Sequence, residues 1–255
     1  MKKLLSLGIA AGLLVAASTA FAFPTIQGWS GGFNVPTATV ATGWTVAVDR
    51  AEGETARIPN IRVLGQVMPS LEVGAGFEEA SNNTLGVTAS LWNINAKYAL
   101  PIELAGAKLA VGALYGQGSD DLDLKKFNVY AAGTMPFMGV DGTLALLYQD
   151  ITGSLLGASI QDQKRLSTQI GIEKKLENGA AVGVEYIFNN SIVSDPIIFS
   201  RMNKVTKLND DFGTIYARFP LGDSLMARVA LTDINEVNIG TTQSIGVAYS
   251  FGGGK

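Results

Sequence analysis

The C-terminal stretch Thr241–Phe251 alternates strictly between large and small side chains. On one face its large apolar residues are Ile245, Val247, Tyr249 and Phe251, and on the other face every residue is small. A strand of a soluble β-sandwich buries its large face and exposes charged side chains. A transmembrane barrel strand instead directs large apolar residues to lipid and small or polar residues into a confined lumen. The pattern favours the second environment.

About twelve segments with this period of two, bounded by turn residues, occur along the chain. They lie near residues 44–50, 58–68, 71–80, 84–99, 108–117, 126–135, 143–151, 165–176, 180–189, 211–219, 225–233 and 241–251. An even count is typical of single-chain bacterial barrels, and so is the alternation of short turns with longer loops. The sequence therefore predicts an all-β fold: a single antiparallel transmembrane β-barrel of about 12 strands, with short periplasmic turns and longer outer loops.

Aromatic residues on the predicted outward face lie near the strand ends, as in the two interfacial belts of a membrane barrel. Those at the outer ends are Phe77, Tyr115, Phe127, Tyr148, Tyr186 and Phe188, and those at the periplasmic ends are Trp44, Tyr98, Phe219, Tyr249 and Phe251. In the fourth segment the outward phase slips between Leu91 and Trp92, which predicts a β-bulge there. We also expect strand one to pair with strand twelve, because an unpaired edge in lipid is costly.

The N-terminus has the pattern of a secretory signal peptide. Two lysines precede an apolar run that ends in Ala20-Phe21-Ala22, a small-x-small cleavage site, and a membrane-anchoring helix is the alternative interpretation. The predicted organisation is a signal peptide over residues 1–22, an N-terminal lead-in segment over 23–43, an outer-membrane barrel over 44–251 and a short tail over 252–255. The position of the lead-in segment relative to the barrel is left open.

Composition agrees with an exported membrane barrel. The chain is 47% hydrophobic and only 16% charged, with 30 glycines and a formal net charge of −3. Beyond the predicted signal no stretch approaches the roughly 18 to 20 continuous apolar residues of a membrane helix. The acidic balance gives no basic patch, so we expect no nucleic-acid partner. The predicted localisation is the bacterial outer membrane, since closed barrels and helices alone satisfy the backbone in lipid.

Several short segments resemble a known family. Residues 28–44 (GWSGGFNVPTATVATGW), together with SLEVGAGFE, NAKYAL and AGAKLAVGALYG, are similar to the first half of the YjbH-type family of bacterial outer-membrane barrels, which is associated with exopolysaccharide production. In that family a glycine-led segment ending in Pro-Thr-Ala leads into the first hairpin, and here it is Gly32–Ala38. The resemblance implies the location and fold. Physically, Pro36 lacks a backbone donor, which suits a segment that enters a barrel or lies across its mouth.

The chain contains no histidine and no cysteine. Barrel hydrolases use histidine to activate a serine or a water, and zinc sites use histidine or cysteine. We therefore expect no enzyme, no cofactor and no such metal site. A disulfide framework is excluded as well.

The strand phases place charges of both signs on the inward face. The predicted lumen-lining residues are Asp49, Arg62, Glu72, Lys97, Glu173, Glu185, Arg218 and Arg228. Such charges either select solutes at a constriction or pair with one another in a closed barrel. Many inward positions are glycine, alanine or serine, and the room that they leave favours a channel. Arg62, Arg218 and Arg228 are expected to form a positive wall.

The predicted function is a porin-like passive channel for small polar or saccharide solutes. The alternative is a non-conducting structural or interaction barrel in envelope or exopolysaccharide assembly. The expected partners are outer-membrane lipid and the barrel insertion machinery, with polysaccharide or small polar solutes as further candidates. Tyr249 and Phe251 resemble the aromatic C-terminal signal that this machinery recognises, although Gly252–Lys255 follows Phe251 where that signal usually ends the chain.

Overall fold

Twelve strands make up the fold. The computed structural model describes residues 23–25, 28–53, 56–82, 87–120, 122–155, 158–193, 211–232, 234 and 242–252. The strands are β1 Trp44–Glu52, β2 Ala56–Met68, β3 Leu71–Asn82, β4 Val87–Leu104, β5 Ala107–Asp120, β6 Leu122–Phe137, β7 Val140–Leu155, β8 Ala158–Lys175, β9 Ala181–Val193, β10 Phe212–Pro220, β11 Leu225–Thr232 and β12 Thr242–Phe251. The predicted signal peptide and residues 253–255 of the predicted tail lie outside the described residues.

The strands close into one antiparallel barrel in chain order, as predicted. Closure is made by β1 and β12, which pair continuously from Trp44↔Phe251 to Glu52↔Gln243. Each strand therefore has a hydrogen-bonded neighbour on both sides, and no open edge is left to lie in lipid. No helix in the described part of the chain has the length and apolar character needed to cross a membrane.

The outer face of the wall is an apolar surface. Val48, Ile94, Leu144 and Ile245 are each about half exposed, and comparable residues occur on every strand. Aromatic side chains flank this surface, and some pack against one another, such as Trp92 on Tyr115 and Tyr186 on Phe188. A closed barrel with an apolar outer belt and aromatic borders is the architecture of bacterial outer-membrane proteins, and the chain belongs in that membrane.

Two turns are shorter than predicted. The sequence predicted turns over 100–107 and 136–142, but β4 and β5 are joined by Ala105 and Gly106 alone, and β6 and β7 by Met138 and Gly139 alone. All four turn residues have positive φ, from 50° to 83°, which is the backbone of a two-residue hairpin. Pro101, within the predicted first turn, lies in a register irregularity between Ala99 and Glu103, where a residue without a donor is tolerated.

The predicted β-bulge between Leu91 and Trp92 was wrong. Both residues pair without interruption, with Glu78 and Phe77 on β3 and with Gly118 and Gln117 on β5. Leu91 keeps the inward phase of its buried neighbours Ala89 and Asn93, whereas Trp92 is exposed. The sequence-based interpretation took Leu91 as outward because it is large and apolar, like the other residues of the predicted lipid face. The irregularity of β4 occurs nearer its end, at Ala99/Glu103.

Candidate functional site: an occupied lumen

The barrel lumen is occupied by the segment that precedes β1. We call residues 23–25 and 28–43 the plug. Phe23, Trp29, Phe33 and Val35 of the plug are almost completely buried, and two isolated bridges, Pro24↔Ser30 and Gly31↔Pro36, fold it back on itself. The whole stretch 23–43 contains no Lys, Arg, Asp or Glu. Most of its wall contacts, such as those to Glu72 near the start of β3 and Glu185 on β9, are in the halves of the strands nearest the short turns, so the plug fills that end of the lumen.

Three aromatic side chains of the plug pack against alanines and larger apolar or aromatic residues on the inward face of the wall. Trp29 contacts Tyr130, with ring centroids 4.5 Å apart, in a cluster that also holds Ala132, Ala145 and Leu147. Phe23 packs with Ala47, Met226 and Ala248, and Phe33 packs with Tyr216 and Ala230. From the sequence, the small inward residues were expected to leave free space for solute. In the structure that space holds the plug.

Glu185 on β9 holds the middle of the plug. Its carboxylate accepts backbone N–H groups from Phe33 at 2.8 Å, Asn34 at 2.7 Å and Val35 at 3.2 Å. The side-chain amide of Asn34 also donates to the hydroxyl of Thr214, at 2.8 Å. Because Glu185 is buried, these donors take the place of water around its charge. A loop of the plug is thereby fixed to β9 and β10.

Glu72 and Lys97 hold the two ends of the plug's central loop on the opposite side of the lumen. Glu72 accepts the backbone N–H of Ser30 at 2.8 Å and of Ala41 at 2.7 Å. Lys97 lies 3.3 Å from Glu72 and donates to the carbonyl oxygens of Ser30 and Thr39. Both side chains are fully buried. This ion pair therefore satisfies backbone donors and acceptors of the plug at once.

The three arginines do not form the predicted positive wall. Arg228 and Arg62 both contact Asp49, at 2.7 Å and 3.1 Å, and Arg218 is paired with Glu173. Each arginine is thus next to a carboxylate, as expected for buried charges in a narrow space. Two of them also hold the plug, because Arg228 donates to the carbonyl of Pro24 at 2.8 Å and Arg218 to that of Gly31 at 3.3 Å.

Arg228 makes a further contact through the face of its guanidinium group. The group lies 4.0 Å from the ring centre of Phe23 and 4.7 Å from that of Phe33. Cation–π attraction at this distance strengthens the hold on both aromatic residues. The contact of Arg228 with the plug therefore joins a charged hydrogen bond to aromatic packing.

The eight residues predicted to line the lumen fall into two groups in the structure. Five contact the plug backbone directly: Glu72, Lys97, Glu185, Arg218 and Arg228. The other three, Asp49, Arg62 and Glu173, form ion pairs within the wall. The sequence did not indicate the plug side of the site, with Ser30 and Asn34, or the wall residue Thr134, whose hydroxyl accepts the N–H of Ala38. The signal that could have found it is an uncharged, aromatic-containing segment beside a barrel with small inward residues.

Tyr249 and Phe251 lie on the outer face at the end of β12. Their rings stack with centroids 6.2 Å apart, and they pair in register with Val46 and Trp44 of β1. The two aromatic residues therefore border the apolar surface at the short-turn end. Their part in barrel insertion stays a prediction.

Solved structures of outer-membrane channels share this architecture. The chain resembles a structure described as KdgM porin (TM-score 0.56, 10% identity, covering 82% of this chain and 99% of that one). It resembles the NanC porin equally well (TM-score 0.56, 8% identity, 82% and 99% covered). An outer membrane channel from Pseudomonas putida F1 has a TM-score of 0.54 at 11% identity, with 90% and 100% covered. At these identities the likeness shows the fold, which is that of a porin-like outer-membrane β-barrel.

Comparisons of the sequence itself find no relative. No family model matches the chain, and no curated protein matches it. The YjbH-type resemblance therefore stays a prediction, while the outer-membrane barrel fold that it implied is confirmed by the solved structures.

Proposed function

We propose that the protein is a passive, porin-like channel for small polar solutes, in which the plug is a gate that must move before solute passes. The observation that supports this is the way in which the plug is held. Buried charged residues of the wall bind its backbone through hydrogen bonds, and the plug itself contributes no charge. Contacts of this kind are reversible and can be exchanged for water.

The barrel wall does not need the plug for its own hydrogen bonding. Every strand is paired on both sides by other strands, and the wall ion pairs Arg62–Asp49 and Arg218–Glu173 involve no plug residue. The plug can therefore leave its position while the twelve-strand ladder stays intact. A segment that was part of the sheet could not do so without opening the barrel in lipid.

Movement of the plug would expose a lumen suited to water. Glu72, Lys97 and Glu185 would lose backbone partners and become hydrated, and charges of both signs would then line a narrow passage. Such a constriction selects polar solutes by charge and size. The amide side chains of Asn60, Asn93 and Asn95 also face the lumen, and those of Asn93 and Asn95 lie beside Gly28 of the plug.

A disulfide between plug and wall tests whether the plug is the gate. A Cβ placed on Gly171 of β8 would lie 3.5 Å from the Cβ of Val35, which is within the range of a disulfide. The chain has no native cysteine, so Val35→Cys with Gly171→Cys gives one defined bond. We expect the reduced double variant to conduct in planar bilayers as the unmodified protein does. Oxidation should abolish the openings, and a reductant should restore them.

The two single-cysteine variants, treated with the same oxidant, are the controls and should keep their conductance. An oxidised double variant that conducts as well as its reduced form would show that the plug is not the gate. If neither the unmodified protein nor the reduced variant conducts, the proposed channel function is wrong. That result would favour the alternative function, a structural or interaction barrel in the envelope.

A further inference from the structure

A cavity of about 310 Å³ lies between the plug and the wall formed by strands β6 to β11. Ser30, Thr37 and Thr39 line it from the plug, and Thr143, Glu173 and Arg218 line it from the wall. Its volume is at the lower end of the range of small-molecule sites. We propose that this cavity binds a neutral, polyhydroxylated solute of about the size of a monosaccharide. The proposal deepens the channel function and rests on it for its biological meaning.

The charges around the cavity are already compensated. Lys175 bonds Asp141 at 2.8 Å, Arg218 is paired with Glu173, and Glu185 accepts three backbone N–H groups of the plug. An anionic ligand would have to approach three carboxylates, and a cationic ligand would have to compete with the lysine and the arginine. A neutral ligand disturbs none of these contacts. The electrostatics therefore favour an uncharged solute.

The hydrogen-bonding groups that remain fit hydroxyl groups. The Nε–H of Arg218 has no acceptor among the described residues, although the residue is only 7% exposed. Tyr216 and Arg218 both donate to the Oε2 atom of Glu173, which leaves Oε1 to accept from another donor. A hydroxyl group both donates and accepts. A single ligand hydroxyl can therefore accept from Arg218 and donate to Glu173.

Threonine hydroxyls offer a second point of recognition. The Thr134 hydroxyl accepts from the backbone of Ala38 and is 2.9 Å from that of Thr143. On the plug, the hydroxyls of Thr37 and Thr39 are 3.0 Å apart. These groups can each donate or accept, and they lie on both sides of the cavity. A ligand with several hydroxyls can therefore bridge plug and wall.

Binding of D-glucose to the purified full-length protein tests the site. The protein is kept in an amine-oxide detergent, which carries no sugar, and binding is followed by saturation-transfer NMR and by calorimetry. We expect saturable binding that Ala181→Leu abolishes, because Ala181 lines the cavity and a larger side chain there fills it. Thr143→Val should weaken binding about threefold to tenfold, which corresponds to one lost hydrogen bond.

Matched variants on the outer face are the controls for these substitutions. Val182→Leu is the neighbour of Ala181 on the lipid side, and Thr168 is a threonine outside the cavity. Neither Val182→Leu nor Thr168→Val should change glucose binding. The folded barrel of each variant is checked by its heat-dependent shift on a gel.

Charged analogues test the ligand class. D-Gluconate and D-glucosamine should bind more weakly than D-glucose. The proposal is overturned if glucose shows no saturable binding, if Ala181→Leu and Thr143→Val both bind glucose as the unmodified protein does, or if either charged analogue binds more tightly. Because glucose binding is measured without ionic current, an absence of binding would not contradict the proposal that the plug is a gate. A protein that binds glucose but shows no conductance would instead contradict the channel function and not the binding site.

Discussion

The two faces of the barrel wall have different partners, and β7 shows the difference in adjacent residues. Leu146 is 48% exposed and lies on the lipid face between Ala131 and Thr168. Leu147 is 1% exposed and packs in the cluster around Trp29 of the plug. The two leucines are chemically identical, and only the phase of the strand decides whether lipid or the plug covers them. A hydrophobic side chain therefore does not by itself indicate the outer face.

The two faces of the wall are stabilised in different ways. The outer face is stabilised by transfer of apolar surface into lipid, and each of its residues acts nearly independently of distant parts of the chain. The inner face is stabilised by contacts with one particular segment, residues 23–43, through packing and charged hydrogen bonds. Substitutions on the outer face should therefore affect the barrel, whereas those on the inner face should affect the plug.

The largest effect is expected on the outer face. Leu146→Arg places a charge on the lipid side between the two aromatic borders, and it should lower the free energy of unfolding of the barrel by about 2 to 4 kcal/mol. Urea-induced unfolding in lipid vesicles measures this change. Leu146→Ala is a first control, because it removes packing without adding a charge and should cost much less.

Leu147→Ala tests the inward position next to Leu146. It should leave the barrel ladder intact but open a void beside Trp29, and so loosen the plug. The looser plug is detected as faster maleimide labelling of a single cysteine introduced at Val35. If Leu146→Arg loosened the plug while Leu147→Ala destabilised only the barrel, the two faces would be wrongly assigned.

Much of the wall could be predicted from the sequence because its signals are local. The period of two, the aromatic positions at strand ends and the alternation of short and long connections all reflect neighbouring residues and the membrane. These signals predict the number of strands and the pairing of β1 with β12, which the structure confirms. The error at Leu91 has a local cause too, since one apolar residue was given more weight than the ladder around it.

The plug could not be predicted in the same way because its contacts are non-local. Glu185 and Val35 are 150 residues apart in the chain, and Arg228 and Pro24 are 204 apart. A pattern within one segment shows that Glu185 points inward, but it does not show which backbone groups the carboxylate accepts. The sequence therefore predicted charges of both signs in the lumen without their partners, and the predicted positive wall was wrong for the same reason.

On the inner face, neutralising Glu185 should have the next largest effect. Glu185→Gln keeps the size of the side chain but replaces one acceptor oxygen by an NH₂ group, which faces the backbone donors of the plug. Loss of a charged hydrogen bond costs about 1.5 to 3 kcal/mol, so the docked plug should open roughly 10 to 100 times more often. The labelling rate of a cysteine at Val35 measures this opening.

Glu103→Gln is the matched control for this substitution. Glu103 is an exposed glutamate on β4, away from the plug, and its neutralisation should not change the labelling rate. Barrel stability should be the same in both variants, because the strand pairing of β9 does not depend on its carboxylate. Equal labelling rates for Glu185→Gln and Glu103→Gln would show that the Glu185 carboxylate does not keep the plug in place.

The smallest effect is expected for Thr214→Val, which removes one neutral hydrogen bond from the same loop of the plug. The hydroxyl of Thr214 accepts from the amide of Asn34, and both residues are buried, so the variant leaves that donor unsatisfied. The expected cost is about 1 kcal/mol, or roughly a fivefold faster labelling at position 35. Adding Asn34→Ala removes the unsatisfied donor as well and should recover part of the loss. A double variant whose free-energy effect equals or exceeds the sum of the two single effects would show that this hydrogen bond does not connect the plug to β10.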